Sequence, residues 1–185
     1  MKYIDSPYLL SCEEIYDHEN TIWMFLEYMQ GGELTKILTI VEDLKIHLSE
    51  GFCKYTLYNV AKGLADMHEK FVLHRDIKSD NILFRKDGTI KIADLGFSVV
   101  LTDKVAYRKT KLGTMCWMSP EIAKGESYGS EVDVWAFGCF AFELTYGEPP
   151  FYDLVNDSKA FLEAINTRNV DRIPEQYSDS FNDFV

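Results

Sequence analysis

His74-Arg75-Asp76-Ile77-Lys78-Ser79-Asp80-Asn81-Ile82-Leu83 brings an acid, a base and an amide together within eight residues, between the apolar runs Val72-Leu73 and Ile82-Leu83-Phe84. A charged loop held between buried strands suits a rigid catalytic platform. Read alone, the same cluster also fits a solvated turn between two strands. The rest of the chain has to decide between them.

Downstream, Ile82-Leu83-Phe84 and Ile90-Lys91-Ile92 flank Lys86-Asp87-Gly88, an Asp-Gly turn that predicts a short hairpin. Asp94-Leu95-Gly96 follows directly. Residues 97–118, with Thr102, Tyr107, Thr110 and Thr114, show no regular pattern, and long irregular segments in compact domains tend to be functional. Val132 to Leu144 is apolar on nearly every side, which predicts a helix buried all round. Asp133, near its start, is placed to accept backbone hydrogens. Pro149-Pro150 ends the next segment, and Ser158 to Ile165 supports a further helix.

Upstream, residues 49–70 are strongly helical in spacing, with Phe52, Leu57, Val60, Leu64 and Met67 near one face and Ser49 as N-cap. Residues 33–44 are loosely helical. Gly31-Gly32 predicts a bend or a close backbone approach. Tyr8-Leu9-Leu10 and Ile22 to Leu26, separated by the turn-prone Asp17-His18-Glu19-Asn20, predict an antiparallel strand pair.

At 185 residues, 46% hydrophobic and 14% aromatic, the chain is long and apolar enough for one sizeable core. A net charge of −11 opposes binding to a nucleic-acid backbone or an anionic membrane and favours a basic substrate. Cys12, Cys53, Cys116 and Cys139 lack Cys-x-x-Cys and zinc-ligand spacing, so they read as reduced thiols of a cytoplasmic protein. The longest apolar run, Val134 to Phe142, is far shorter than the roughly 20 residues a bilayer requires. No repeat or low-complexity segment is evident.

His74-Arg75-Asp76 with Lys78 and Asn81, Asp94-Leu95-Gly96, Ser119-Pro120-Glu121 and Asp133-x-Trp135 stand in the order and approximate spacing of the eukaryotic protein kinase signatures. Each tripeptide is weak by itself, but four in register are specific. The chain most resembles the sterile-type, PAK-like serine/threonine kinases, notably in His74 to Leu83 and Gly113-Thr114-x-x-Trp117-Met118. The resemblance covers essentially the whole sequence. It implies an α+β, protein-kinase-like fold: residues 1–28 from the small lobe with two strands, 29–32 as hinge, and 33–185 as a mostly α-helical large lobe.

The resemblance also implies a chemistry, transfer of the ATP γ-phosphoryl group to serine or threonine hydroxyls of protein substrates. Such transfer is mainly positioning and charge stabilisation. Asp76 would be the base, Lys78 the cation and Asn81 the third catalytic-loop residue, with Asn81 and Asp94 holding Mg²⁺ through oxygen. Lys78 and Thr114 indicate serine or threonine as acceptor, since tyrosine kinases usually lack that lysine. Backbone groups of Glu27 and Met29 would meet the adenine, Leu83 would floor it, and Leu26 falls at the gatekeeper position. Arg75 beside the base implies control by phosphorylation of the 97–118 loop by an upstream kinase, with Thr110 as the site. Glu33, Asp80 and Glu143 align with carboxylates that receive basic residues upstream of the acceptor. His74 and Leu95 would pack together, although Leu95 departs from the usual phenylalanine, and Glu121 and Asp133 would be structural.

The sequence contains no Gly-x-Gly-x-x-Gly, no Val-Ala-Ile-Lys-like strand and no arginine in the usual place to pair with Glu121. The chain therefore reads as a kinase truncated at both ends, leaving Glu121 without its partner. Two readings stand: the catalytic part of an active serine/threonine kinase, or a kinase-like module that binds or regulates without transferring phosphate.

Overall fold

The computed structural model describes residues 4–102, 107–167, 170 and 173–185. Strands β1 (Cys12–His18) and β2 (Thr21–Leu26) form an antiparallel hairpin in which His18 pairs with Thr21. Glu19 and Asn20, both at positive φ (50° and 61°), make the tight two-residue turn whose twist suits adjoining strands. The expected first strand, Tyr8–Leu10, lies elsewhere. Ile92 N donates to Tyr8 O and Leu10 N to Ile92 O, each at 2.8 Å, so this apolar run is buried on the large core. An apolar run specifies burial but not its partner.

Strand β3 (Gly32–Glu33) leads into helix α1 (Leu34–Asp43), which buries Leu34 and Leu38. Gly31 is needed for close approach. A Cβ there would lie 2.8 Å from Phe84 O, to which Gly31 N donates. Helix α2 (Glu50–Glu69) begins as its sequence predicts, with Ser49 Oγ accepting from Phe52 N. Cys53, Leu57, Val60, Leu64 and Met67 form its buried face, while Phe52 stacks on Phe84 at 5.8 Å between ring centroids.

Strand β4 (Val72–Leu73) enters the polar loop and β5 (Ile82–Phe84) leaves it. β5 lies between β3 and β6 (Ile90–Ile92), giving the predicted hairpin with Gly88 at φ 90°. β7 (Val99–Val100) pairs with β4, so residues 97–118 are not wholly irregular. The short helix α3 (Pro120–Lys124) then precedes α4 (Glu131–Tyr146).

Helix α4 differs in part from its sequence expectation. Every residue from Cys139 to Thr145 is buried, but Val134 is 62% exposed because none of the described elements covers that side of the first turns. Helices α5 (Ser158–Thr167) and α6 (Asp179–Asn182) complete the chain. One main core joins α2, α4, β5 and β6 beneath the polar loop, through residues such as Ile77, Ile82, Phe140 and Leu144. The β1–β2 hairpin stands apart from it, with every β2 side chain exposed.

Candidate active site

Asp76 is the centre of the polar loop and is 4% exposed. Its Oδ1 accepts from Thr114 N (3.1 Å) and Thr114 Oγ1 (2.8 Å). Its Oδ2 accepts from Asn81 Nδ2 (3.0 Å) and lies 3.3 Å from Lys78 Nζ. Lys78 Nζ also donates to Thr114 Oγ1 (2.8 Å), and Asn81 Nδ2 to Asp76 O (2.7 Å). Asp76, Lys78, Asn81 and Thr114 thus form one connected cluster, although Thr114 is 38 positions from Asp76.

The backbone around this cluster is constrained. Arg75 (φ 70°) and Asp94 (φ 56°) occupy the positive-φ region, where strain in a residue with a side chain is held only if the surroundings enforce it, and Gly113 (φ 122°) adopts it without that cost. For Arg75 the enforcing group is Asp133, a wholly buried carboxylate that accepts from His74 N (2.8 Å), Arg75 N (2.7 Å) and lies 2.8 Å from His68 Nε2. Gly113 passes so near that an added Cβ would lie 2.9 Å from Arg75 O. This contact lets the chain present Thr114 to Asp76.

His74 is completely buried, and burial pushes its pKa down, so the ring is neutral. Nε2–H then donates to Ala93 O (3.0 Å), while Nδ1 accepts from Asp76 N (3.2 Å). The imidazole thereby joins the polar loop to the residue before Asp94. Asp94 is exposed, and its Oδ1 accepts from Gly96 N (3.0 Å). Leu95 packs half-buried against the main core.

Asn81 and Asp94 suit a hard cation in one respect. The Asn81 amide nitrogen is committed to Asp76, and among the described residues no donor reaches Asn81 Oδ1. No group of three His, Cys, Asp or Glu among the described residues is placed to hold a metal by itself. Water or oxygens of a bound phosphate would complete such a set.

At the Gly31-Gly32 bend, Met29 packs with Leu10, Ala93 and half-buried Leu83. Among the described residues Glu27 O and Met29 N have no hydrogen-bond partner, which leaves an acceptor and a donor beside this apolar patch. Leu26, at the end of β2, is 39% exposed. The Glu27 carboxylate binds Lys91, Arg85 and Ser11 N. Burial raises its pKa, but the Lys91 and Ser11 hydrogen bonds outweigh that effect and hold it low.

The expected acidic set divides. Asp80 is exposed, and Glu33 is partly exposed with Lys36 3.9 Å away. Glu143 is instead 4% exposed beneath the loop, where it accepts from Ser79 N (3.2 Å), Ser79 Oγ and Trp117 Nε1 (2.9 Å). It is therefore no free surface carboxylate; the all-round burial of this part of α4 encloses it.

Arg75 is not free either. Its Nε donates to Phe97 O (2.7 Å) and its Nη1 to Tyr128 Oη (3.1 Å), both neutral acceptors. Tyr128 in turn donates to Thr110 O (2.8 Å), and Thr110 is exposed. Glu121 is partly buried, with no ion-pair partner among the described residues. Tyr128 and His68 escaped the sequence reading, and Ser79 and Trp117, quoted there as part of motifs, were given no contacts; all four act through contacts across the fold.

An apolar patch at the Gly31-Gly32 bend, a polar loop between short strands and a large helical core fit a kinase-type α+β fold. A family profile described as protein kinase domain matches residues 1–185. The chain is 39% identical over 167 residues to the serine/threonine-protein kinase CLA4 of Candida albicans, covering 90% of this chain and 17% of that protein. It is 38% identical over 186 residues to the serine/threonine-protein kinase pakC of Dictyostelium discoideum, covering 100% of this chain and 36% of that protein. The third, shk1/pak1 of Schizosaccharomyces pombe, is also a serine/threonine-protein kinase, 39% identical over 178 residues, with 93% and 25% covered. The chain belongs to the protein kinase domain family. It spans well under half the length of these curated relatives.

Proposed function

We propose that this chain carries the phosphotransfer platform of a PAK-like serine/threonine-protein kinase, acting on hydroxyls of protein substrates with ATP and Mg²⁺. The observation that supports it best is the closed cluster of Asp76, Lys78, Asn81 and Thr114. In this reading residues 1–28 belong to the small lobe, 29–32 are the hinge and 33–185 the large lobe, in a cytoplasmic protein.

Asp76 orients the acceptor hydroxyl and receives its proton on a carboxylate oxygen. Because Thr114 Oγ1 now donates to Asp76 Oδ1, the incoming hydroxyl competes with Thr114 at that oxygen. Lys78 Nζ, held by both residues, places its charge beside the transferred group. Bound Mg²⁺, held by Asn81 and Asp94, supplies neutralisation of the phosphate charge. Glu27 O and Met29 N hydrogen-bond the adenine edge, and Leu83 and Leu26 bound its faces. Thr110 is the phosphorylation site for an upstream kinase: a phosphate there exchanges the neutral acceptors of Arg75 for a charged one. Asp80 and Glu33 receive basic residues of the substrate.

The test is phosphotransfer from Mg²⁺-ATP to a basic serine peptide. Asp76→Asn is expected to lower kcat by about 10²- to 10⁴-fold; retention of the wild-type rate contradicts the reading. The exposed faces of the β1–β2 hairpin favour a second reading, a kinase-like binding module. Peptide binding without phosphate transfer by the wild-type chain would select it.

A further inference from the structure

We propose that Lys91 and Arg85 are positioning residues for nucleobase selection: they hold the Glu27 carboxylate, so that Glu27 O and Met29 N keep their places beside the apolar patch and favour a purine with a 6-amino group. The proposal deepens the kinase reading and rests on it for this consequence, but the ionic cradle around Glu27 stands on its own geometry. Strand alternation puts the cradle next to the patch. Ile90 and Ile92 of β6 face the main core, so Lys91 between them faces the other way, directly across from Leu83 of β5. Leu83 packs with Leu10, Met29 and Ala93. Lys91 Nζ, Ser11 N (2.8 Å) and Ser11 Oγ (3.0 Å) all donate to Glu27 Oε1, and Arg85 Nη2 donates to Glu27 Oε2.

Little water reaches this cradle. The side chains of Lys91 and Glu27 are only 11% and 10% exposed, so solvent screens the pair weakly, and loss of one partner leaves the other charge enclosed. Glu27 N also donates to Ser11 O (3.2 Å). Amide and side chain of Glu27 are thus both tied down, the latter to β6 and to the residue after β5, and among the described residues its carbonyl is left without a partner. Met29 N, two residues on, is the free donor. An acceptor and a donor fixed in this order suit the edge of adenine, whose 6-amino group donates and whose N1 accepts. Hypoxanthine reverses both, with an oxygen at position 6 and a proton on N1. A site built for one edge rejects the other because its own polar groups are then left unpaired, and this rejection depends on how firmly they are held.

Lys91→Met removes the enclosed cation and Lys91→Arg keeps it; Arg85→Met, at the more exposed of the two positions, serves if Lys91→Met does not fold. Calorimetric titration of the 185-residue chain with Mg²⁺-ATP and with Mg²⁺-ITP, which differ only at purine position 6 and the N1 proton, gives an affinity ratio. The preference for ATP should fall about three- to tenfold in Lys91→Met, fall in Arg85→Met, and be kept in Lys91→Arg. An unchanged ratio beside a lowered unfolding midpoint is the mark of an ordinary structural ion pair and overturns the proposal. Carboxyl carbon-13 NMR tests the cradle without any nucleotide. Burial raises the Glu27 pKa while the Lys91 and Ser11 hydrogen bonds hold it low, so its titration midpoint should rise in Lys91→Met; an unmoved midpoint overturns the cradle. A wild-type chain that binds ATP no better than ITP refutes the adenine contacts of the kinase reading, and the selection with them, whereas the titration still decides whether Lys91 holds Glu27.

Discussion

Asp133 has no exposed surface, and donors from two segments converge on it: the backbone N–H groups of His74 and Arg75, and the His68 ring. Removing a buried acceptor of this kind leaves several donors unsatisfied, so Asp133→Ala should destabilise the chain by about 3–5 kcal/mol, measured by urea unfolding. Loss below about 1 kcal/mol would mean that other groups hold the loop. Glu143 gives a pH signature. Its pKa is raised to about 7 by burial, so the folded chain binds a proton that the unfolded chain has released at intermediate pH. Its contribution to stability is therefore fully present below the ordinary carboxylate range and is lost as pH rises through about 7. The loss should approach roughly 3 kcal/mol, and Glu143→Gln should flatten that part of the stability–pH curve. Asp76, Lys78 and Asn81 were legible in the sequence because their chemistry and close spacing are local. The commitment of Glu143 to Ser79 and Trp117 was not, because burial depends on what packs above a side chain.

Helix α4 shows how one element serves both core and site. Its first turns present Asp133 to the polar loop while exposing Val134, and its later turns bury Phe140 and Leu144 on every side. Phe140→Ala should cost about 3–5 kcal/mol, whereas Val134→Ala should change stability by less than about 0.5 kcal/mol. Equal effects in thermal unfolding would contradict this division. Helix α2 has a comparable double role at its N-terminus. Glu50 accepts from Ser178 N (2.8 Å), Ser178 Oγ (2.9 Å) and Lys54, which hold its pKa down to about 2. The stabilising contact is present above the ordinary glutamate range and disappears as pH falls toward 2. Glu50→Gln should increase hydrogen exchange at Tyr177 and Ser178 at neutral pH without changing that of α4. The periodicity of α2 and its Ser49 cap were readable from sequence, since both are properties of neighbouring turns. The docking of Ser178 on Glu50, across 128 positions, was not.

At the scale of the molecule, the core and the β1–β2 hairpin have different surfaces. Ile22 (67%), Trp23 (58%), Met24 (56%) and Phe25 (50%) are all exposed, on a strand whose outer edge pairs with no other strand among the described residues. Such a strand is a template for association. Replacing Trp23 and Phe25 with lysine in the isolated 185-residue chain should reduce light scattering at high concentration. The unfolding midpoint should move little, because neither side chain belongs to the main core. Unchanged scattering would show that association uses another face.

The sequence by itself indicated the family and, through that resemblance, the α+β class; it also determined the long helix α2 and the β5–β6 hairpin, because both are encoded in short-range spacing and turn chemistry. Tertiary structure alone decided that Tyr8–Leu10 joins β6 instead of β2, that Glu143 lies beneath the loop and not on its surface, and that Thr114 closes over Asp76. Those outcomes depend on which distant segment offers the complementary surface or hydrogen-bonding group, and on the exclusion of water when the two meet.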